Sequence, residues 1–232
     1  MFVSTSIYKE RVYENAGLTE LIELIETGER KFLDIGCGAG GNAKLLKEKV
    51  PNSVIVGITL SSAEAELARS YMDKVVVTDI ENWEPEDLED LFDAVIVCHT
   101  LEHMVDPLAV LRKMKKFLKR GGHLYMALPN VMFYRQRLEF LRGRFRYTET
   151  GLMDKTHLRF FDWESAGEIV THAGFQIEKR MAVGSFPQWK FRKVSPKLAH
   201  RIDRWATGSF PNLFGWHIII KAAQQCRESL LS

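Results

Sequence analysis

The 232-residue sequence contains no run of about 18 apolar residues, the length a helix needs to cross a bilayer, so no transmembrane span is expected. Met1–Tyr13 holds no apolar stretch of signal-peptide length. Cysteine is scarce: Cys37, Cys98 and Cys226 are odd in number and show no CxxC spacing, which argues against a disulfide framework and a structural zinc site. A reducing, cytoplasmic setting is the expectation. The histidines and acids also lack zinc spacing, since Glu102-His103 is only a pair, so no metal is expected. Net charge is only +2, too little to make the whole chain a strong binder of polyanions. No internal repeat or low-complexity tract interrupts the chain.

What is present is an ordinary globular composition, with 46% hydrophobic and 27% charged residues. Helix-like and strand-like stretches alternate: a helix over Leu18–Thr27, a strand over Lys31–Ile35, a helix over Asn42–Lys49, strands at Ser53–Ile58 and Asp73–Asp79 with a helix to about Met72 between them, and an almost wholly apolar strand at Phe92–Cys98. Pro107 opens a further helix that Gly121-Gly122 is expected to end, and His123–Leu128 follows as a strand. Beyond it, helices are expected at Val131–Arg142, Asp162–Ala173 and Ser195–Ala206, and strands at Phe175–Met181 and Leu213–Ala222. Such alternation through the first 130 residues points to an α/β fold, a parallel sheet with helices on both faces.

The most informative segment is Phe32-Leu33-Asp34-Ile35-Gly36-Cys37-Gly38-Ala39-Gly40-Gly41. Glycines allow a strand to turn sharply into a helix with its backbone close to a ligand. Gly36, Gly38 and Gly41 satisfy GxGxxG, which alone suits NAD as well as other nucleotides. Two residues separate the readings. Asp34 would repel a pyrophosphate but suits the ammonium group of a methionine moiety. The NAD reading wants an acid at the end of the second strand, where Thr59 stands.

The DIGCGAGG segment resembles the first motif of class I S-adenosylmethionine-dependent methyltransferases. Val77-Thr78-Asp79-Ile80, Phe92–Cys98, Thr100–Pro107 and Leu118-Lys119-Arg120-Gly121-Gly122 resemble later motifs of that family, in its order. The resemblance covers roughly residues 8 to 182. It implies a Rossmann-like, doubly wound, mostly parallel seven-stranded sheet with helices on both faces and an antiparallel last strand, S-adenosylmethionine as cofactor and S-adenosylhomocysteine as product. Tyr13, Asp34, Gly36, Cys37, Gly38, Thr59, Leu60, Asp79, Ile80, Cys98 and His99 are the binding residues it implies, with Tyr8 a further candidate to close over the cofactor. Family members usually carry an acid where Thr59 stands. The whole chain, 1–232, is read as one domain, with a cofactor-binding core at about 28–130 and acceptor or lid elements at about 1–27, 131–161 and 184–212.

Gly151–Phe161 and Tyr13-Glu14-Asn15 resemble a subgroup associated with glycosyltransferases and saccharide assembly. O-methylation of a small molecule, an anionic or lipid-linked saccharide above others, is therefore expected. Methyl transfer requires an oriented acceptor and a place for its proton. His157 is the first candidate for that role and His103 the second, while Arg159 is the candidate to hold an anionic acceptor. Each also has a purely structural reading, such as packing or pairing with Asp154 or Asp162. Basic residues interleave with aromatics in Tyr134–Tyr147, where Tyr134, Leu138, Leu141 and Phe145 suggest one helical face, and in Trp189–Trp205. A solvated surface, a lid or a peripheral membrane contact accounts for them, and RNA ranks last because no RNA-binding module is recognisable. Methylation of nitrogen, lipid or RNA, or a catalytically weak cofactor-binding partner protein, are the alternatives.

Overall fold

Seven strands form one sheet in the computed structural model, which describes residues 12, 16–83, 91–187 and 189–224. They are β1 (Lys31–Ile35), β2 (Val54–Thr59), β3 (Lys74–Val77), β4 (Phe92–Cys98), β5 (Leu118–Pro129), β6 (Phe175–Gly184) and β7 (Gly215–Gln224), in the order β3-β2-β1-β4-β5-β7-β6. The first five run parallel, and β7 lies antiparallel between β5 and β6. The strand order reverses between β1 and β4, and ligands of open α/β sheets lie outside the carboxyl ends of the strands at such a switch point.

Helices cover both faces. On one, Leu21 and Ile22 of α1 (Thr19–Glu23) and Leu46 of α2 (Gly41–Lys49) pack on Phe32, Ile55, Ile96 and Tyr125. On the other, Val110, Leu111 and Met114 of α4 (Pro107–Met114) and Val170 of α6 (Trp163–His172) pack on Leu33, Val95, Val97 and Leu124. Coverage on both sides is why β4 reads as a continuous apolar run rather than an alternating one. Each such aliphatic side chain contributes roughly 1.5–3 kcal/mol by leaving water. Helix starts are chemically specified. The Ser61 side chain accepts from Glu64 N at the head of α3 (Ser62–Ala68), Asp106 accepts from Ala109 N before Pro107, and Asp162 and Ser165 form a reciprocal capping box at α6.

The structure corrects the sequence reading at several points. α4 ends at Met114 and passes through a 3-10 turn, Lys115–Phe117, so Gly121-Gly122 does not terminate it. Those glycines lie inside β5, where Leu118 already pairs with Phe92 and the register slips before Ala94. α3 stops at Ala68 rather than near Met72. Two short helices, α7 (Trp189–Val194) and α9 (Pro211–Phe214), flank α8 (Pro196–Ser209), and β7 starts two residues later than expected. α5 (Tyr134–Leu141) forms, but no residue of it is buried, and Phe145 lies beyond its end. Among the described residues, no helix is long and apolar enough to cross a membrane.

Candidate active site

β1 delivers the chain to its carboxyl end, and the turn that follows holds Gly36, Gly38 and Gly40 at φ of 69°, 52° and 88°. These left-handed values favour glycine. At Gly36 a β-carbon would also stand 2.4 Å from the Thr100 side chain. Gly36 N and Cys37 N donate to Ile58 O at 2.8 and 3.0 Å, tying the turn to β2. Gly40 is the left-handed residue that precedes α2, so the third motif glycine, Gly41, is simply the first helical residue.

Beside this turn a cavity of about 420 Å³ opens at the carboxyl ends of the parallel strands. Gly36, Gly38, Thr59, Leu60, Asp79, Ile80, Cys98 and His99 all line it, as do His103 and His157. Three of the expected residues do not. Cys37 turns into the core, 4% exposed, where its sulfur packs beside Gly57. Arg159 is exposed, does not itself line the cavity, and donates Nη2 to the carbonyl of the lining residue Val105 at 2.6 Å. Asp34 lies behind the wall, 1% exposed, and neither carboxylate oxygen has a hydrogen-bond partner among the described residues. Burial pushes its carboxyl up to about 7. Burial also raises the neighbouring Cys98 thiol, to about 12, and Asp34 itself adds to that shift. Tyr8 and Tyr13 fall outside the described residues.

An acid stands beside Thr59 at the end of β2. Thr59 Oγ1 donates to Glu64 Oε2 at 2.7 Å, and Glu64, buried on the first turn of α3, lines the same cavity. Sequence reasoning named Thr59 and missed Glu64. The signal was present, because Ser61-x-x-Glu64 has the spacing of a capping box and places an acid at that turn. Asp79 closes the next corner, its oxygens accepting from Glu81 N at 3.0 Å and Asn82 Nδ2 at 2.8 Å.

The opposite end of the cavity is built from three distant segments. A 3-10 turn after β4 carries Glu102 and His103, the loop before α6 carries Asp154 and His157, and β7 opens with Trp216 and His217. Main-chain bonds clamp the first two together: Leu158 N and Arg159 N both donate to Glu102 O, at 2.8 and 3.0 Å. Asp154 Oδ1 accepts from Thr156 N and Thr156 Oγ1, which shapes the loop. The His103 and His157 rings then meet edge to face at 4.8 Å, and the His99 and His217 rings lie tilted against each other at 4.6 Å. Burial holds His157 below its ordinary value and drops His217 to about 3, so both are neutral at physiological pH. Burial alone would raise Glu102, but the histidines around it, His99 first, outweigh that and hold its carboxyl low. His99 is the one non-glycine residue described with positive φ, 52°, and its Nδ1 stands 3.5 Å from Glu102 Oε1. Backbone strain of this kind costs about 1–3 kcal/mol and clusters at functional sites. Trp216, His217 and Thr100 were not expected here, and a lone histidine in an apolar strand carries no spacing signal.

No described side chain of the two basic segments lines the cavity. Leu141, Phe145 and Tyr147 are exposed at 83%, 57% and 57%, beside Arg142 and Arg144, which pair with Glu139. In the second segment Arg192 forms an ion pair with the buried Asp203 at 2.7 Å.

Comparison with known proteins agrees with this geometry. A family model described as a methyltransferase domain matches residues 8–180. The chain is 36% identical over 179 residues to a demethylmenaquinone methyltransferase of Thermotoga maritima, a match covering 68% of this chain and 75% of that protein. It is 29% identical over 107 residues to a ubiquinone biosynthesis O-methyltransferase of Vibrio vulnificus, covering 44% of each. The chain thus spans under half the length of the ubiquinone-biosynthesis relatives it matches. In fold it is similar to a SAM-dependent methyltransferase from Archaeoglobus fulgidus, with TM-score 0.58 and 22% identity over 85% of this chain and 87% of that one.

Proposed function

The chain belongs to the methyltransferase-domain family of S-adenosylmethionine-dependent proteins, and on that premise we propose that it methylates a hydroxyl oxygen of a small-molecule acceptor. One observation carries the reading: a single cavity has the glycine turn, Glu64 and Asp79 at one end and His99, His103, His157 and His217 at the other.

The residues fit the cofactor. The buried Asp34 carboxylate, without a partner among the described residues, suits the ammonium of a methionine moiety beside a turn whose backbone a β-carbon would obstruct. Glu64, oriented by Thr59, offers a carboxylate for ribose hydroxyls, which an acid binds more strongly than a threonine does. Asp79 and Ile80 take the adenine. When bound, S-adenosylmethionine supplies an electrophilic methyl group and leaves as S-adenosylhomocysteine. The chain's own work is to hold the acceptor oxygen in line and to accommodate its proton. His103 Nδ1 lies 3.2 Å from Thr156 O, and His157 Nδ1 lies 3.1 Å from Leu152 O. A carbonyl only accepts, so Nδ1 carries a hydrogen in each ring, and the ring nitrogen left for the acceptor's side is Nε2. Nε2 of these rings and Glu102 are what the acceptor hydroxyl would meet.

Met104, Val105, Leu152, Leu158 and Trp216 give this end an apolar wall, which suits the ring of a phenol or the face of a sugar. The likeness of Gly151–Phe161 to the glycosyltransferase-associated subgroup supports a saccharide. The names of the relatives support a quinone precursor. The exposed Leu141, Phe145 and Tyr147 amid arginines support peripheral contact with an anionic lipid surface, where a lipid-linked acceptor would lie. Transfer of labelled methyl from S-adenosylmethionine to matched panels of sugars, catechols and amines tests the reading. Labelled hydroxyl compounds are the expected products. Labelling confined to amines, or none with tight product binding, would favour N-methylation or a non-catalytic binding partner.

A further inference from the structure

We propose that Glu102, His103 and His157 bind a divalent cation of the first transition row at the acceptor end of the cavity. The inference rests on the reading of that end as the acceptor's place, and it specifies what the acceptor oxygen would touch there.

One ligand atom from each of the three residues lies within 4.8 Å of the other two. Two imidazoles and one carboxylate, with further positions left open, is the ligand set of catalytic rather than structural metal sites. Three independent features point the same way. First, each histidine has its Nδ1 fixed by a main-chain carbonyl, Thr156 O for His103 and Leu152 O for His157. Metal-binding histidines are held in this manner, because it sets the tautomer and turns the other ring nitrogen to the ion. Second, Glu102 is 1% exposed and its Oε2 has no hydrogen-bond partner among the described residues, while Oε1 faces His99. A buried carboxylate oxygen needs a partner, and beside two imidazoles a cation is a partner that all three groups can share. Third, the site is built before any ligand arrives, since Leu158 N and Arg159 N bind the loop bearing His157 to the carbonyl of Glu102.

The remaining coordination positions face the cavity, where a hydroxyl oxygen would complete the set. A bound cation lowers the pKa of a coordinated hydroxyl, so the proton leaves to solvent more readily. A second cluster, Glu26, His123 and Glu178, differs in the decisive respect: Lys221 Nζ already neutralises both acids, at 2.5 and 2.8 Å. Sequence spacing cannot expose the first cluster, because its third ligand arrives from a different loop. The earlier expectation of no metal rested on spacing alone.

The test uses the full chain, stripped with chelator and titrated calorimetrically with Zn²⁺ or Mn²⁺ alone, with Co²⁺ absorption as an optical readout. About one ion should bind per chain. His157→Ala and Glu102→Gln should each weaken binding by about 10- to 100-fold, and His123→Ala should leave it unchanged. Circular dichroism checks folding, and His157→Asn replaces the alanine variant if that one fails to fold. Failure of stoichiometric binding, or binding indifferent to His157 and Glu102, would overturn the site. S-adenosylhomocysteine binding, measured on the same stripped protein, separates the two readings. Product binding without metal binding removes only the metal, whereas metal binding without product binding removes the cofactor assignment.

Discussion

The two ends of the cavity are made in different ways. The end proposed for the cofactor comes from successive strand ends of one parallel sheet: Gly36 and Gly38 after β1, Thr59 closing β2, Asp79 after β3 and Cys98 closing β4. Each residue sits in a short motif next to the strand that positions it. The acceptor end is joined from segments more than fifty residues apart, held by the bonds from Leu158 and Arg159 to Glu102 O. A sheet therefore fixes cofactor groups by local geometry, while acceptor groups depend on a loop docking correctly. The two ends should respond separately to mutation.

The sharpest way to break that separation is Gly36→Ala. Left-handed backbone and the 2.4 Å approach to Thr100 act together, and strain plus overpacking of about 2–5 kcal/mol should abolish product binding and turnover alike. Calorimetry with S-adenosylhomocysteine checks it, and near-normal affinity would contradict the assigned turn. His157→Ala tests the other end. Turnover should fall by about 10²- to 10⁴-fold while product affinity stays within about threefold. A parallel loss of both would show that the ends are not independent. Glu64→Gln should cost about tenfold in product affinity by weakening a charge-assisted contact, with little change in turnover at saturating cofactor. If it has no effect, Thr59 has no acidic substitute.

Asp34 supplies a prediction of the opposite sign for stability. Burial raises its folded-state value to about 7, above that of the unfolded chain. The folded state therefore holds the proton more tightly. The stabilisation is fully present below pH about 4, fades as pH rises towards 7, and is level beyond, a change on the order of 4 kcal/mol. Asp34→Asn should flatten this dependence and leave the unliganded protein more stable than wild type at pH 8, as read by urea denaturation. An unchanged pH profile would mean that Asp34 is not the buried acid responsible.

How much was legible follows from the same contrast. The seven strands, the glycine turn and the cavity-lining residues at the strand ends were readable because hydrophobic periodicity and adjacent motifs encode them locally. The misplaced end of α4 shows the limit of that reading. Gly121-Gly122 resembles a helix stop, yet pairing of Leu118 with Phe92 overrides the local signal. Cys37 lies in the right turn, but alternation sends its side chain to the core. Arg159 suited an anion by chemistry alone, whereas the fold uses it on Val105 O. Glu102 and His217 gained significance only through neighbours brought from other parts of the chain. Leu141 and its arginines show the converse case, a pattern readable as an amphipathic face that the fold leaves exposed.

At the cofactor end everything turns on whether the buried Asp34 carboxylate receives the ammonium of the ligand. Calorimetric titration of S-adenosylhomocysteine at pH 8, on wild type and Asp34→Asn side by side, measures this. Binding by wild type and at least about tenfold weaker binding by a folded, stabilised variant is the expected result. Equal affinity for the two proteins would contradict the account.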